Sequence, residues 1–196
     1  MMRRDVLSWA MLWMMLLSGI SISVAAPSSA ASLKDAVSTH HANVIFIRHA
    51  LAPGFGDPAD FDIKDCTTQR NLDDTGRQQA RDLGAMLTSS GLVFDEILSS
   101  RWCRCQDTAK EITMGGEMAM GGYQTHDGLN SFFQDHVDRG ETLRLLNEKL
   151  SSLNADDLVV MVTHQVVIQA ITSISPRSGG MVLYNSKTGQ SARFNP

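Results

Sequence analysis

Two short runs of apolar, β-branched residues each lead into a histidine, and this feature constrains the fold of the chain most. The run ANVIFI leads into Arg48 and His49, and the run LVVMV leads into Thr163 and His164. Strands that are apolar throughout are typical of a buried parallel sheet, in which functional groups gather at the carboxyl ends of the strands. We therefore expect both histidines at that edge of a sheet.

Helix signals alternate with these strands. Aspartate and serine caps, apolar residues at helical spacing and terminal glycines predict the helices. The expected elements are a strand over 42–47, a helix from Asp73 or Asp74 to Gly91, a strand over 93–98, a helix capped by Ser99 or Ser100, a helix over 141–153, a strand over 158–162, a helix over 166–171 and a hairpin of 181–184 with 192–194. This order predicts an α/β fold: a three-layer sandwich with a mostly parallel central sheet and helices on both faces.

The helix after Ser100 is expected to bury one face. Its apolar stripe comprises Trp102, Cys105, Ala109 and Ile112. At 100° per residue, that stripe leaves Arg104 and Thr108 off the buried face, near the helix N-terminus.

The first 26 residues have the layout of a secretory signal. Arg3 and Arg4 precede an apolar stretch that runs into small residues. We predict cleavage after Ala25, Ala26, Ala30 or Ala31, a linker over 27–41 and one domain over 42–196. The protein would then be periplasmic or secreted. The alternative is an uncleaved anchor, because the stretch is nearly long enough to cross a bilayer.

The charge balance excludes one class of partner. The chain has 17 basic and 21 acidic residues, a formal net charge of −4. An acidic protein has no electrostatic reason to bind nucleic acid, so any positive site must be local. Contact with a membrane is expected only if the leader is uncleaved.

The cysteines and methionines leave alternatives open. Cys66 could pair with Cys103 or Cys105, or these last two could pair with each other. Their spacing does not complete a zinc site. The Gly-rich segment 114–123 contains three methionines that could bind a soft metal, but a flexible loop is the favoured interpretation. We expect no metal.

Four motifs in this order resemble those of the histidine phosphatase superfamily, the phosphoglycerate-mutase-like proteins. They are Ile47-Arg48-His49-Ala50; Leu72 with Gly76, Gln79 and Ala80; Ser99-Ser100 with Arg104, Thr108 and Ala109; and Val162-Thr163-His164. The resemblance spans nearly the whole chain after the leader.

The resemblance implies a role for each matched residue. His49 would take up the phosphoryl group as a phosphohistidine, Arg48 and Arg104 would bind its oxygens, and His164 would add a donor. The chemistry favours these residue types, because neutral imidazole is a good nucleophile and guanidinium groups match phosphate geometry. Gln165 could also hold a phosphate oxygen. No cofactor is implied.

One position departs from the family pattern. Many members carry a glutamate as proton donor where Ser131 stands here, and a serine hydroxyl is too weak an acid for that task. Asp135 is the first candidate replacement, followed by Asp127 and Asp65. Arg70, on the long loop 51–70, could contact a second anionic group or pair with a nearby aspartate.

The resulting hypothesis is a metal-independent phosphatase that hydrolyses a phosphomonoester, or phosphohistidine, through a covalent phosphohistidine. Its partner would be a phosphorylated small molecule or envelope component. The alternative is a catalytically weak or inactive phosphoryl-ligand binding protein of the cell envelope, and the serine at position 131 keeps it open. A third hypothesis is an anchored interaction module.

Overall fold

The computed structural model describes residues 29–115 and 122–195. Its helices are α1 (Ser29–Thr39), α2 (Asp74–Ser89), α3 (Cys103–Gly115), α4 (Arg139–Ser152) and α5 (Gln165–Thr172). Its strands are β1 (Val44–Arg48), β2 (Glu96–Ser99), β3 (Gln124–Thr125), β4 (Val159–Thr163), β5 (Met181–Tyr184) and β6 (Ser191–Phe194). Single 3₁₀ turns occur at Cys66–Thr68, Asp127–Leu129 and Phe133–Asp135.

The strands form one sheet in the order β3-β2-β4-β1-β5-β6. Strands β1 to β4 run parallel, whereas β5 and β6 are antiparallel to their neighbours. The central pair, β1 and β4, places Arg48 opposite Thr163. The carboxyl ends of the two apolar runs therefore meet at one edge, as the sequence predicted.

The two faces of the sheet bury alternate residues of each strand. Ile45 and Ile47 of β1 pack in the core under α1, α2 and α3. Val44 and Phe46 pack in the opposite core, under α4 and α5. This period of two follows from the pleat of a strand, and it produces the predicted three-layer α/β architecture.

The N-terminal end of the domain differs from the prediction. Residues 29–39, within the expected linker, form α1, whose Leu33 and Val37 are buried against α2 and the sheet. The linker prediction is therefore wrong for these residues, because apolar side chains at helical spacing cover an otherwise open part of the core. The predicted signal over residues 1–26 lies outside the described residues.

Helices α2 and α3 pack closely enough to require a glycine. A Cβ atom on Gly84 would lie 2.3 Å from the carbonyl oxygen of Ile112. At the start of α2 the carboxylate of Asp73 accepts a hydrogen bond from the amide of Gly76, which confirms one of the two predicted caps. The helix ends at Ser89, and Gly91 follows with a φ of 65°.

Two details of α3 differ from the prediction. Arg104 and Thr108 are buried rather than turned away from the core, since the loop 51–70 covers this side of the helix. Met114 and Gly115 belong to the helix, and most of the predicted methionine loop, residues 116–121, lies outside the described residues.

A disulfide bond joins Cys66 to Cys103, while Cys105 is free and buried. Of the pairings left open by the sequence, this one links the loop 51–70 to the first residue of α3. Within residues 29–115 and 122–195, none of the helices has both the length and the hydropathy of a bilayer-spanning segment.

Removing the disulfide should destabilise the fold. The bond closes a loop with a sequence separation of 37 residues, which corresponds to about 3–4 kcal/mol of unfolding free energy in the chain-entropy treatment. We expect the double variant Cys66→Ser, Cys103→Ser to lose about this amount in urea unfolding. A reductant should lower the wild type to the same midpoint and leave the variant unchanged. A wild-type midpoint that does not respond to reduction would contradict this assignment.

Candidate active site

A cavity of about 400 Å³ opens at the carboxyl ends of β1 and β4. It collects the histidines, arginines, serine and glutamine that the sequence singled out, but not the three candidate acids. Its polar lining consists of Arg48, His49, Arg70, Arg104, Ser131, His164, Gln165 and Ser178. Within the described part of the chain, none of its lining residues carries a carboxylate.

Backbone hydrogen bonds fix the segment that carries His49. The amide of His49 donates to the carbonyl of Thr163 at 2.9 Å, and the amide of Gly179 donates to the carbonyl of His49 at 3.2 Å. One residue further on, the amide of Ala50 donates to the hydroxyl of Thr108 at 3.0 Å. The segment is thus held from β4, from the loop before β5 and from α3.

The environment of His49 selects one tautomer. Its Nδ1 lies 2.8 Å from the carbonyl oxygen of Ala50, and His49 is only 3% exposed. A carbonyl can only accept a hydrogen bond, so Nδ1 carries the proton and Nε2 carries the lone pair. The ring nitrogen that remains free is therefore the nucleophilic one.

Both histidines are neutral at neutral pH. Burial lowers the pKa of His49 well below its ordinary value of 6.5, and the positive charge of Arg104 lowers it further. Burial and Arg104 have the same effect on the pKa of His164. An imidazole in its neutral form keeps the lone pair that an attack on phosphorus requires.

His164 is oriented by groups behind the cavity. Its Nε2 lies 3.0 Å from the hydroxyl of Ser100, which itself donates to Oδ1 of Asn130 at 3.2 Å. The hydroxyl oxygen of Ser100 therefore accepts a hydrogen bond from the Nε2–H group of His164. The ring centroids of the two histidines lie 5.5 Å apart. Cys105 is also close, at 3.4 Å from Nε2, but burial raises the pKa of its thiol to about 12, so it stays protonated.

Arg48 is oriented by Gln165. One Nη group of Arg48 donates to Oε1 of Gln165 at 2.7 Å and to the carbonyl of Pro176 at 3.1 Å. The amide nitrogen of Gln165 in turn donates to the hydroxyl of Ser175. Gln165 lines the cavity, and its contacts show it positioning Arg48; the prediction that it also binds phosphate stays a prediction.

Arg104 pairs with Asp57, a residue that the sequence patterns did not single out. Both Nη groups of Arg104 donate to the Asp57 carboxylate, at 2.7 and 3.1 Å, and the side chains are 4% and 3% exposed. The indole of Trp102 donates to the same carboxylate at 3.0 Å. No local pattern could have revealed this pair, because its partners are 47 positions apart.

Arg70 holds the cavity wall rather than standing free. Its guanidinium donates to the carbonyls of Gly56 and Ala52, and its amide donates to Asp57 at 3.1 Å. The sequence left open whether Arg70 pairs with a nearby aspartate, and Asp57 is bound by the backbone amide of Arg70. The side chain of Arg70 braces the loop instead.

The site carries a net positive charge. Three guanidinium groups line it, on Arg48, Arg70 and Arg104, and one carboxylate, on Asp57, is paired with them, which leaves two positive charges. The buried Nε–H groups of Arg48 and Arg104 have no hydrogen-bond partner among the described residues. Buried donors without partners are costly, so these are donors available to an anion.

Comparison with known proteins agrees with this geometry. The sequence model of the histidine phosphatase superfamily (branch 1) matches residues 44–133, which contain Arg48, His49 and Arg104. This part of the chain is similar to the histidine phosphatase superfamily. The search of curated proteins found none that matches.

Solved structures of the superfamily share the fold. The protein histidine phosphatase SixA, complexed with tungstate, is 16% identical with a TM-score of 0.52, covering 76% of this chain and 92% of that chain. SixA from Agrobacterium tumefaciens is 18% identical with a TM-score of 0.52, covering 79% and 96%. A mycobacterial glucosyl-3-phosphoglycerate phosphatase with VO3 is 14% identical with a TM-score of 0.51, covering 78% and 97%. At these identities the likeness establishes the fold alone.

Two residues that match a histidine phosphatase motif shape the cavity from outside it. A Cβ atom on Gly76 would lie 2.0 Å from the carbonyl oxygen of Leu51, so only glycine lets α2 approach the segment after His49. The side chain of Gln79 accepts from the amide of Leu51 at 2.9 Å and donates to the carbonyl of Ser178 at 3.0 Å. Gly76 and Gln79 thus contact the backbone of two lining residues, Leu51 and Ser178.

The structure does not bring the three candidate acids to the cavity. Asp135 is exposed and lies outside the lining, because the backbone at Gln134 and Asp135 takes positive φ angles of 67° and 58°. Asp127 pairs with Arg101 at 2.7 Å. Asp65 is exposed and caps a 3₁₀ turn. The position of Asp135 therefore does not fit the predicted role of proton donor.

Ser131 does line the cavity, at the position where many histidine phosphatases carry glutamate. It is 3% exposed, and its hydroxyl oxygen accepts from the amide of Phe133 at 3.2 Å. A buried hydroxyl there can donate a hydrogen bond but cannot supply a proton to a departing alkoxide.

Neutralising Asp57 should destabilise the protein and make it respond to phosphate. We expect Asp57→Asn to lose about 3–5 kcal/mol of unfolding free energy, because Arg104 would be left as an unpaired buried charge. Inorganic phosphate should then stabilise this variant more than the wild type. The control Asp135→Asn removes an exposed carboxylate and should change stability by less than about 0.5 kcal/mol. Equal losses in both variants would contradict the ion pair.

The pH dependence of this difference has a definite sign. Burial raises the pKa of Asp57, but the hydrogen bond and charge of Arg104 outweigh it, so the net shift is downward. The stabilisation is complete above the ordinary carboxyl pKa of about 3.9 and is lost as the pH falls through the lowered value. The unfolding free energies of wild type and Asp57→Asn should converge in acid.

Proposed function

We propose that the protein is a metal-independent phosphatase that transfers a phosphoryl group to Nε2 of His49 and then to water. The observation that carries this proposal is a buried, neutral imidazole whose Nδ1 proton is held by Ala50 and whose Nε2 faces an arginine-lined cavity. The arginines provide the positive charge that metal ions provide in other phosphoryl-transfer sites.

The reaction divides into two displacements. In the first, the Nε2 lone pair forms a bond to phosphorus, and the bond from phosphorus to the leaving group breaks with its electron pair. Arg48 and Arg104 neutralise the charge on the transferred oxygens. In the second, water attacks phosphorus, the phosphorus–nitrogen bond breaks, and its electron pair returns to Nε2 while the water proton goes to solvent.

The lining favours leaving groups that depart without a carboxylic acid. Asp57 is the carboxylate that contacts the lining residue Arg104. It is ionised in this ion pair, so it has no proton to donate. The aryl group of an aryl phosphate leaves as a stabilised phenolate. The histidine ring of phosphohistidine leaves as an imidazole, whose distal nitrogen takes a proton from solvent. We therefore propose such donors rather than simple alkyl phosphates.

Two structural neighbours support binding of a phosphoryl group, though not the choice of leaving group. One is a protein histidine phosphatase complexed with tungstate, and the other is a glucosyl-3-phosphoglycerate phosphatase complexed with VO3. Both oxyanions have phosphate-like oxygens. The substrates named for these two enzymes are not assigned to this chain.

The alternative of a phosphoryl-ligand binding protein without turnover rests on a specific observation. Ser131 occupies the position of the usual acid, and no carboxylate is among the described residues that line the cavity. Such a protein would bind phosphate at Arg48 and Arg104 and leave even activated esters intact.

Hydrolysis of p-nitrophenyl phosphate in the presence of EDTA tests the proposal. We expect turnover in the wild type and a loss of about three orders of magnitude or more in His49→Ala. The control His40→Ala changes an exposed histidine of α1's C-terminal flank and should keep full activity. Because the pKa of His49 is lowered, kcat/KM should not fall as the pH drops through 6.5. An inactive wild type that still binds phosphate would establish the binding protein instead.

We further propose that the protein is exported and that cleavage follows Ala25 or Ala26. Both sites leave α1 whole, whereas cleavage after Ala30 or Ala31 would remove its first turn. The Cys66–Cys103 disulfide supports an oxidising compartment. Mass spectrometry of the protein secreted from full-length expression should find one of these two N-termini, and a chain that retains Met1 would contradict export by cleavage.

A further inference from the structure

Exposed apolar side chains concentrate at the mouth of the cavity. Among the described residues, the large hydrophobic side chains that are exposed are Leu51, Phe55, Val93, Met114 and Phe133, at 38%, 90%, 83%, 65% and 39%. Three of these, Leu51, Phe55 and Phe133, line the cavity. An exposed apolar group beside a polar site marks a place where a ligand supplies the missing contact.

Two of these side chains form an aromatic pair, which we call the aromatic rim. The rings of Phe55 and Phe133 meet edge to face, with centroids 5.3 Å apart and planes at 84°. Phe55 nevertheless leaves 90% of its surface exposed. Its ring therefore has ample surface free for a further aromatic partner.

The aromatic rim is held in place from both sides. The side chain of Gln134, next to Phe133, accepts from the amide of Asp57 at 2.7 Å and donates to its carbonyl at 3.2 Å. Asp57 is itself fixed by Arg104. The guanidinium of Arg70 binds the carbonyl of Gly56 at 2.9 Å and, on the other side of Phe55, the carbonyl of Ala52. Phe55 is thus exposed on a loop whose neighbouring backbone is tethered.

The cavity lining also contains apolar residues besides the aromatic rim. They are Leu51, Ala52, Pro53 and Val166, and the guanidinium of Arg70, which lines the cavity too, donates to backbone carbonyls. An aromatic ring gains apolar contacts from such side chains, whereas a polyhydroxyl group does not.

We propose that the aromatic rim is a leaving-group subsite that accepts an aromatic or heteroaromatic ring joined to the phosphoryl group through an ester oxygen or a ring nitrogen. This inference rests on the proposed function, since it places the phosphoryl group at Arg48, His49 and Arg104. It joins two independent observations: no carboxyl group among the described lining residues, and apolar aromatic surface at the mouth of the cavity. Phenyl and imidazolyl phosphates satisfy both.

Binding of two phosphonates, measured by calorimetry, tests the subsite without turnover. Phenylphosphonate and methylphosphonate share the charged head and differ in the ring. We expect the wild type to bind phenylphosphonate more tightly than methylphosphonate. In Phe55→Ala the ratio of the two affinities should fall by about 2- to 10-fold. The affinity of this variant for methylphosphonate should be unchanged. Phe55→Leu keeps apolar bulk and should lose the preference as well.

The matched control is Val93→Ala, which shortens an exposed apolar side chain that does not line the cavity. An equal phenyl preference in Phe55→Ala and Val93→Ala would overturn the subsite. Retention of the preference in Phe55→Leu would overturn its aromatic character. Absence of binding by either phosphonate would overturn the placement of the phosphoryl group. Retained turnover in His49→Ala would instead overturn the proposed function alone, because the phosphonate ratio does not depend on the nucleophile's attack.

Discussion

The buried ion pair between Arg104 and Asp57 connects the parts of this site. It joins the first turn of α3 to the loop 51–70, and the Cys66–Cys103 disulfide joins the same two segments a short distance away. Arg104 is also the charge that most strongly lowers the pKa of both histidines. Without this pair the loop would lose its anchor and the arginine its orientation.

The balance of charge explains how a histidine can act as nucleophile among arginines. Burial and neighbouring positive charge keep His49 neutral, and the carbonyl of Ala50 selects the tautomer with a free Nε2. Asp57 cancels one guanidinium charge, which leaves a site suited to a dianion. The preorganised donors require little rearrangement when charge develops on the phosphoryl oxygens. Among the residues of 29–115 and 122–195 that line the cavity, none supplies a protonated carboxyl group to the leaving atom.

Much of the fold could be predicted because it depends on local patterns. The apolar runs before Arg48 and Thr163 have the signature of central parallel strands, and parallel strands bring their carboxyl ends together. The convergence of His49 and His164 follows from that rule alone. The capping of α2 by Asp73 and the glycine after it were similarly visible in the sequence.

The remaining features depend on contacts that no local pattern records. Asp57 lies in a turn-rich loop with other aspartates, and only its distant partner Arg104 distinguishes it. The burial of Arg104 follows from the same pair. Asp135 is exposed outside the cavity lining, on a segment whose left-handed backbone at Gln134 and Asp135 no sequence pattern indicated.

Direct detection of the phosphorylated residue tests the central claim most closely. The wild type would be mixed with an aryl phosphate and quenched in alkali, where phosphohistidine survives, and the peptides would then be analysed by fragmentation mass spectrometry. We predict one phosphoryl group on His49 and none on His164 or Ser131. A phosphoryl group on another residue, or turnover with no covalent phosphoryl group at any time of quenching, would contradict the proposed mechanism.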